Sequence, residues 1–172
     1  GGALASLLPP ARRRQRLAAA PRCVSGAPSV ALALAARRTS DADMEGLDLS
    51  EVHVILSGAE RVHPTTVKRF VERFAPFGLK ERVIRPSYGL AEATLYVATP
   101  KASDTLRTAR FDLRRLAGGV AHRCEPGQEG STELVSYGTP AAHPTRIVDP
   151  ETGVEQPEGS IGEIWVRGDN VA

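Results

Sequence analysis

One stretch decides the fold and the candidate site of this chain: Arg85-Pro86-Ser87-Tyr88-Gly89-Leu90-Ala91-Glu92-Ala93-Thr94. The apolar run just before it, at 82–84, predicts a short β-strand. Pro86 has no N–H for a sheet ladder and disfavours helix at the residue before it, so the strand should stop there. Gly89 predicts a turn with a close backbone approach. From Leu90 onward the residues can form a helix, so we expect a strand, a glycine turn and a helix start in succession.

Such a turn predicts a site that attracts phosphate. The N–H groups at a helix start lack partners within the helix, and together with the helix dipole they favour negative charge. Tyr88 offers a flat ring for a base, and Glu92 offers a carboxylate that can hold Mg²⁺ beside the phosphate. The alternative is an ordinary strand-to-helix turn with a solvated glutamate, because short motifs also occur by chance.

A similar unit precedes this stretch. Residues 52–56 form an apolar run that predicts a strand buried on both faces of a parallel sheet, with His53 as a core histidine. Ser57-Gly58-Ala59-Glu60 follows as a turn at the carboxyl edge, where open α/β sheets bind ligands. Pro64 suits the first turn of a helix. Its apolar stripe at helical spacing is Val67, Phe70, Val71 and Phe74. The repeated order predicts α/β layers around a parallel sheet.

The segments on either side complete the prediction. Upstream we expect a helix over 11–20, a strand over 23–25, and a helix over 30–38 that is capped by Ser29 and shares Val30 and Leu34 on one face. Downstream we expect a short strand over 95–98. Residues 99–130 hold many charges and glycines and too few apolar residues for a core, which predicts a loop or insertion.

The last forty residues predict β structure. The candidate strands are 134–137, 145–148 and a half-buried antiparallel strand within 162–168. We therefore divide the chain into an α/β portion over 1–98, an insertion over 99–130 and an incomplete β-rich subdomain over 131–172.

Length and composition set broad limits. The chain has 172 residues and is 41% hydrophobic, which suits one domain or a large piece of one. It contains no apolar run near about 18 residues, so no membrane-spanning helix is expected. Cys23 and Cys124 lie far apart, which argues against a disulfide framework and favours a reducing, cytoplasmic location. Cys124 with His122 and His143 does not match the spacing of zinc sites.

Charge is uneven along the chain. Residues 1–40 contain seven arginines and no acidic residue, while all 20 acidic residues follow. Such a start is typical of a transit peptide or of a segment that binds nucleic acid or anionic lipid. We prefer a fragment of a larger protein, because Gly1 is not an initiator methionine and Ala172 follows a strand pattern. The low aromatic content disfavours nucleic-acid binding.

Three separated blocks resemble adenylate-forming enzymes in order and spacing. They are Ser57-Gly58-Ala59-Glu60, Tyr88-Gly89-Leu90-Ala91-Glu92-Ala93-Thr94 and Gly162-Glu163-Ile164-Trp165-Val166-Arg167-Gly168-Asp169-Asn170-Val171-Ala172. Within that superfamily, the segments 37–41 and 67–77 are similar to the fatty acyl-AMP ligases of mycobacteria and related actinobacteria. The likeness covers nearly the whole chain from about Pro10, and the central block is the most specific.

The resemblance implies part of a large adenylation domain that uses ATP and Mg²⁺. A fatty acid is activated as an acyl-adenylate and handed to an acyl carrier protein on a polyketide synthase. The residues placed at the nucleotide are Gly58, Ala59, Glu60, Ser87, Tyr88, Gly89, Leu90 and Ala91. The first three would line the adenine site, Tyr88 would lie against the ring, and Glu92 would be the catalytic residue that holds Mg²⁺.

Two features favour the acyl-AMP ligase subfamily. An insertion at 99–130 distinguishes it from acyl-CoA ligases, and Ala91 replaces the threonine usual in the wider superfamily. The family's phosphate loop is expected before Gly1, and its ribose-binding aspartate and C-terminal domain after Ala172, so the chain alone should make no acyl-adenylate. The alternatives are an acyl-CoA ligase of the same superfamily and a degenerate remnant without catalytic function.

Overall fold

A computed structural model of the chain describes residues 23–140, 143–169 and 171, and the helix predicted over 11–20 lies outside them. An α/β layer comes first and two small antiparallel sheets follow. In chain order the elements are β1 Cys23–Gly26, α1 Ser29–Arg38, β2 Val52–Ser57, α2 Pro64–Phe74, β3 Ile84–Pro86, β4 Thr108–Asp112, α3 Leu113–Ala117, β5 Ser131–Val135, β6 Thr145–Val148 and β7 Glu163–Val166. The predicted α/β class with a parallel sheet is confirmed.

The parallel sheet has the order β1-β2-β3. Both outer strands run parallel to β2, with Gly26 opposite Leu56 and Ser57 opposite Pro86. The central position of β2 explains its apolar run. It is not buried on both faces throughout, however, and His53 is exposed rather than a core residue. The Nδ1 atom of His53 lies 2.8 Å from the carbonyl oxygen of Glu51.

Helix α2 buries the predicted stripe. Val67, Phe70 and Phe74 are buried, Val71 is half-buried, and the rings of the two phenylalanines lie 4.7 Å apart between centroids. Burial of each phenylalanine contributes about 2–3 kcal/mol through the apolar area that it removes from water. This stripe therefore anchors α2 in the main core of the α/β layer.

The face of α1 that carries Val30 and Leu34 is not the buried one. Leu32 and Ala35 are fully buried, whereas Val30 is 54% exposed. The helix is apolar nearly all round, so its hydrophobic pattern does not select a face, and packing against α2 decides the matter. Ser29 is also not the cap: Pro28 occupies that position, and the Ser29 hydroxyl accepts a hydrogen bond from the His63 N–H at 3.3 Å.

Strand β3 is shorter than predicted, because residues 81–83 form a single 3₁₀ turn before it. It ends at Pro86, as expected. The helix predicted from Leu90 is absent: residues 91–93 form one 3₁₀ turn, and Thr94 then adopts a left-handed conformation with φ 54°. That conformation ends a right-handed helix, since left-handed residues cannot continue it.

The strand predicted over 95–98 is also absent. Leu95 is left-handed, with φ 64°, and only Ala98 forms an isolated antiparallel bridge, to Tyr88. The chain therefore reverses direction after the 3₁₀ turn and comes back to Tyr88. This return places Val97 and Ala98 in a second, small apolar cluster beneath Tyr88.

The second half of the chain forms two antiparallel pairs, β4 with β5 and β6 with β7. Residues 99–130 are not only loop, because they contain β4 and the short helix α3. The Asp112 carboxylate caps α3 by accepting a 2.9 Å hydrogen bond from the Arg115 N–H. The strand predicted over 134–137 starts three residues earlier and ends two residues earlier, as β5. Strand β7 is more exposed than predicted, with Trp165 48% exposed.

Candidate functional site

The two loops predicted to form the site lie side by side at the carboxyl edge of the parallel sheet. The N–H of Ser87 donates a 2.7 Å hydrogen bond to the carbonyl oxygen of Ser57. A Cβ atom on Gly58 would overlap the Ser87 carbonyl oxygen. The 58–60 loop and the 87–92 loop are therefore in backbone contact, and together they form one continuous rim above β2 and β3.

Position 89 requires a glycine because another part of the chain's own backbone, at Leu95, lies very close to it. A Cβ atom here would overlap the carbonyl oxygen of Leu95. On the same return, the Tyr88 N–H donates to the Ala98 carbonyl oxygen at 2.8 Å, and the Val97 N–H donates to the Tyr88 carbonyl oxygen at 3.0 Å. Segment 95–98 thus holds the backbone of Tyr88 in place.

Unusual backbone geometry occurs in the 58–60 loop and just after the 87–92 loop. Among the residues that the structure describes, the non-glycine positions with positive φ are Ala59, Thr94 and Leu95. Such conformations are costly for side-chain-bearing residues and cluster at binding and catalytic sites. Ser57 is fully buried, and its hydroxyl has no hydrogen-bond partner within the described residues. Strain and an unpaired polar atom therefore mark the same edge of the sheet.

The two glutamates of the site differ in their contacts. Oε1 of Glu60 accepts a 2.7 Å hydrogen bond from the Val30 N–H in the first turn of α1. A carboxylate at this position satisfies a free helix N–H and complements the helix dipole. Glu92 lies in the 91–93 turn and is exposed. In the described part of the chain, its carboxylate makes no hydrogen bond or ion pair.

The donor set suits a metal ion that is shared with phosphate. Mg²⁺ in phosphate-binding sites commonly takes one or two protein carboxylates, with phosphate oxygens and water as the other ligands. Glu92 supplies one unengaged carboxylate of this kind. A cage of three or more metal-ligating side chains is not formed by the described residues, and this includes Cys124, His122 and His143. The residues fit a metal held jointly with a ligand, not a closed protein site.

Backbone donors are also available on the rim. The 3₁₀ turn uses the N–H groups of Ala93 and Thr94 for bonds to the Leu90 and Ala91 carbonyl oxygens. The N–H groups of Ala91 and Glu92 have no hydrogen-bond acceptor among the residues covered by the structure. The predicted N–H groups therefore exist at this position, although a single 3₁₀ turn presents them in place of an α-helix.

One residue at the site was missed by sequence reasoning. The Tyr137 hydroxyl accepts a 3.0 Å hydrogen bond from the Val62 N–H, and its ring stands edge-on to the Tyr88 ring with 6.3 Å between centroids. Tyr137 lies 75 residues from Val62 in the chain. No local pattern identifies such a contact, because it depends on how the second half of the chain packs onto the first.

The described residues contain no helix with the length and apolarity needed to cross a lipid bilayer. Glu60 and Glu92 are the acidic side chains of the two loops, and the basic Arg61 follows Glu60. A cation held by Glu92 would make a phosphate-bearing ligand compatible with the site.

Two curated mycobacterial proteins are close in sequence to the chain. It is 58% identical over 164 residues to the long-chain-fatty-acid–AMP ligase FadD26 of Mycobacterium tuberculosis, with 94% of this chain and 28% of that protein covered. It is 56% identical over 163 residues to the putative fatty-acid–CoA ligase fadD25 of the same species, with coverage of 95% and 28%. The chain thus spans little more than a quarter of the length of these relatives.

A solved structure has the same fold over most of the chain. It is the fatty acyl-adenylate ligase of Legionella pneumophila, in complex with acyl adenylate and pyrophosphate, at 31% identity and a TM-score of 0.84. The match covers 95% of this chain and 28% of that one. The family model described as AMP-binding enzyme matches residues 4–172. With the sheet-edge loops in contact and nearly the whole sequence matched, the chain belongs to the AMP-binding enzyme family.

Proposed function

We propose that the chain forms the adenine- and metal-facing part of an ATP-dependent fatty acyl-AMP ligase. The single observation that carries this proposal is the backbone contact between the Gly58 loop and the loop of Ser87 and Tyr88. Ligands of open α/β sheets bind at the carboxyl ends of the strands, and both loops lie at that edge. The homology to FadD26 favours a fatty acid as the acid to be activated.

In this proposal the two loops contact different parts of the nucleotide. Residues 58–60 line one side of the adenine, and the Tyr88 ring lies against its face. The backbone over 89–91 contributes N–H donors on the phosphate side, including the Ala91 N–H, because the Ser87 and Tyr88 N–H groups are already bonded to the Ser57 and Ala98 carbonyl oxygens. The half-buried Tyr88 ring is already held by segment 95–98 and by Tyr137. A preformed ring of this kind loses little conformational freedom on binding.

Glu92 is the proposed catalytic residue, because its carboxylate would hold the Mg²⁺ that is shared with the phosphates. When bound, the ion would neutralise negative charge on the transferring phosphate. Ala91 brings only its N–H to the phosphate, since alanine has no side-chain donor. Glu60 stays bonded to the Val30 N–H and acts through the shape and charge of the adenine side.

The proposed reaction joins a fatty acid carboxylate to the α-phosphate of ATP with release of pyrophosphate. The acyl group is then passed to the thiol of an acyl carrier protein on a polyketide synthase, in a cytoplasmic location. Residues 99–130, with β4 and α3, are proposed as the insertion that disfavours transfer to coenzyme A. We keep 1–98 and 131–172 as the α/β and β-rich portions on either side of it.

A second candidate is a fatty acyl-CoA ligase. The observation that favours it is the 56% identity to the putative fatty-acid–CoA ligase fadD25. Both candidates share the adenylation step and differ only in the thiol that receives the acyl group. The products formed with coenzyme A or a carrier protein therefore distinguish them.

The test uses a chimera, because the chain spans 28% of FadD26. The aligned segment of FadD26 is replaced by this chain, and fatty-acid-dependent exchange of pyrophosphate into ATP is measured. We expect the chimera to be active. We expect Glu92→Gln to lower exchange by about a hundredfold or more, because it removes the carboxylate that would hold the charge-neutralising Mg²⁺.

The matched control is Glu125→Gln, an exposed glutamate in the 99–130 segment. It should leave exchange unchanged. A folded chimera with no exchange activity, or one in which both glutamine variants behave alike, would contradict the proposal. Formation of acyl-CoA rather than acyl-carrier thioester in the same chimera would favour the second candidate.

A further inference from the structure

Tyr137 connects the two loops of the candidate site from a distant part of the chain. It lies two residues after β5, outside the α/β layer. Its hydroxyl contacts the Val62 N–H at the end of the 58–62 segment, and its ring contacts the Tyr88 ring. Tyr137 also packs against both apolar clusters of the described structure, the main core and the small cluster beneath Tyr88.

The hydrogen bond at Val62 gives this contact its specificity. Val62 is 2% exposed, so water has little access to its N–H. Loss of the tyrosine hydroxyl would leave this donor unpaired within the described part of the chain, and a buried unpaired N–H is costly. A phenylalanine would fill the same space without restoring the bond. The hydroxyl therefore fixes a loop position in a way that apolar packing cannot.

The ring contact acts on the other loop. Edge-to-face aromatic pairs prefer centroid separations of about 4.5–7 Å, and the 6.3 Å separation with a 69° angle between the rings falls in that range. The Tyr88 backbone is fixed by segment 95–98, so Tyr137 restricts the remaining freedom of the ring. One side chain thus touches both proposed walls of the adenine site.

We propose that Tyr137 is a positioning residue of the nucleotide site, which sets the spacing between the 58–62 segment and the Tyr88 ring. It acts through Val62 and Tyr88 and does not itself need to touch the nucleotide. The functional part of this inference rests on the proposed function, whereas the coupling of the two loops can be measured without a ligand.

The experiment uses the 172-residue chain and the variants Tyr137→Phe and Tyr137→Leu. Amide hydrogen exchange reports the Val62 N–H, and ring resonances report Tyr88 among the three tyrosines. Binding is measured by titration with AMP. We expect Tyr137→Phe to speed exchange at Val62 by at least about fivefold and to weaken AMP binding by about fivefold. Tyr137→Leu should in addition shift the Tyr88 ring resonances.

Two controls separate positioning from general stability. Tyr96→Phe removes a hydroxyl from an exposed tyrosine and should change none of the three signals. Val67→Ala creates a cavity in the main core, so it should lower the melting temperature without shifting the Tyr88 resonances or AMP affinity. A positioning role requires the Tyr137 variants to differ from both controls.

The outcomes distinguish this inference from the proposed function. Unchanged Val62 exchange in Tyr137→Phe, or unchanged Tyr88 resonances in Tyr137→Leu, would overturn the inference whatever the chain binds. AMP affinity that follows melting temperature equally in Tyr137→Phe and Val67→Ala would also overturn it. Because the chain spans 28% of FadD26, loss of pyrophosphate exchange in the folded chimera is the result that counts against the proposed function. If the wild-type chain alone does not bind AMP, the amide-exchange and resonance data decide the coupling by themselves.

Discussion

The N–H of Ser87 donates a 2.7 Å hydrogen bond to the carbonyl oxygen of Ser57. This bond continues the parallel ladder, in which Ser57 is paired with Pro86 and accepts from the residue that follows it. The last bond between β2 and β3 therefore lies inside the candidate site. Because neighbouring strands lie about 4.8 Å apart, the loops that follow them are held at strand spacing.

Gly58→Ala should separate these loops. The added methyl group would overlap the Ser87 carbonyl oxygen, and backbone on both sides must move to make room. Overpacking of this kind costs about 1–3 kcal/mol. We expect a lower free energy of unfolding in urea and weaker AMP binding. Wild-type stability in this variant would show that the loops are not in contact.

Gly89→Ala should disturb the return of the chain from Leu95 to Ala98. A methyl group would overlap the Leu95 carbonyl oxygen, so the bridge between Tyr88 and Ala98 should weaken. We expect a loss of about 1–3 kcal/mol in unfolding free energy. The matched control is Gly26→Ala, where the nearest atom would lie at 4.0 Å. Equal stability of the two variants would contradict the geometry of the turn.

Leu32→Ala and Val30→Ala test which face of α1 is buried. Leu32 is fully buried and should lose about 2–5 kcal/mol of unfolding free energy when truncated. Val30 is 54% exposed, and its truncation should change stability by no more than about 0.5 kcal/mol. Chemical denaturation of both variants provides the measurement. A larger loss at Val30 would restore the face that the sequence predicts.

The Asp112 carboxylate should make stability depend on pH in acid. The hydrogen bond from the Arg115 N–H lowers the pKa of Asp112 below its ordinary value of 3.8. A lowered carboxylate pKa in the folded state contributes stability above the unfolded value, and this stability is lost as pH falls through the folded pKa. Asp112→Asn should therefore be less stable than wild type above about pH 5, with the difference shrinking in stronger acid.

Melting temperatures of wild type and Asp112→Asn between about pH 2 and pH 6 measure this difference. The control is Glu125→Gln, which removes an exposed carboxylate from the same segment. Because Glu125 does not cap a helix, the difference between the melting temperature of Glu125→Gln and that of wild type should stay constant over this pH range. A constant offset between wild type and Asp112→Asn over the whole range would show that the charge of the cap is irrelevant.

Local signals predicted the α/β layer well. The stripe of α2 has a strong helical period, and Val67, Phe70 and Phe74 are buried as that period requires. The strand at 52–57 and the stop at Pro86 follow from an apolar run and a missing N–H. In each case a short-range property of the residues limits the local structure to one option.

Other elements depended on contacts that no local window contains. The hydrophobic period of α1 does not identify a buried face. The packing of α1 against α2 buries Leu32. Residues 91–98 have composition suited to a helix and a strand, yet left-handed Thr94 and Leu95 turn them back onto Tyr88. The turn also needs a glycine at position 89, because a side chain there would overlap the Leu95 carbonyl oxygen.

The sequence by itself determined that the strands at 52–57 and 84–86 each end in a small turn, and with this it determined the two loops at one sheet edge. It also indicated candidate residues: a proline stop, a glycine turn and an acidic side chain pointed to the stretch from Pro86 to Glu92, and the family resemblance added Gly58, Ala59 and Glu60. Only the tertiary structure decided that Glu60 bonds the Val30 N–H and that Tyr137 joins Val62 to Tyr88. Contacts between distant segments depend on how whole elements pack, and this packing cannot be predicted from the residues that are neighbours in the sequence.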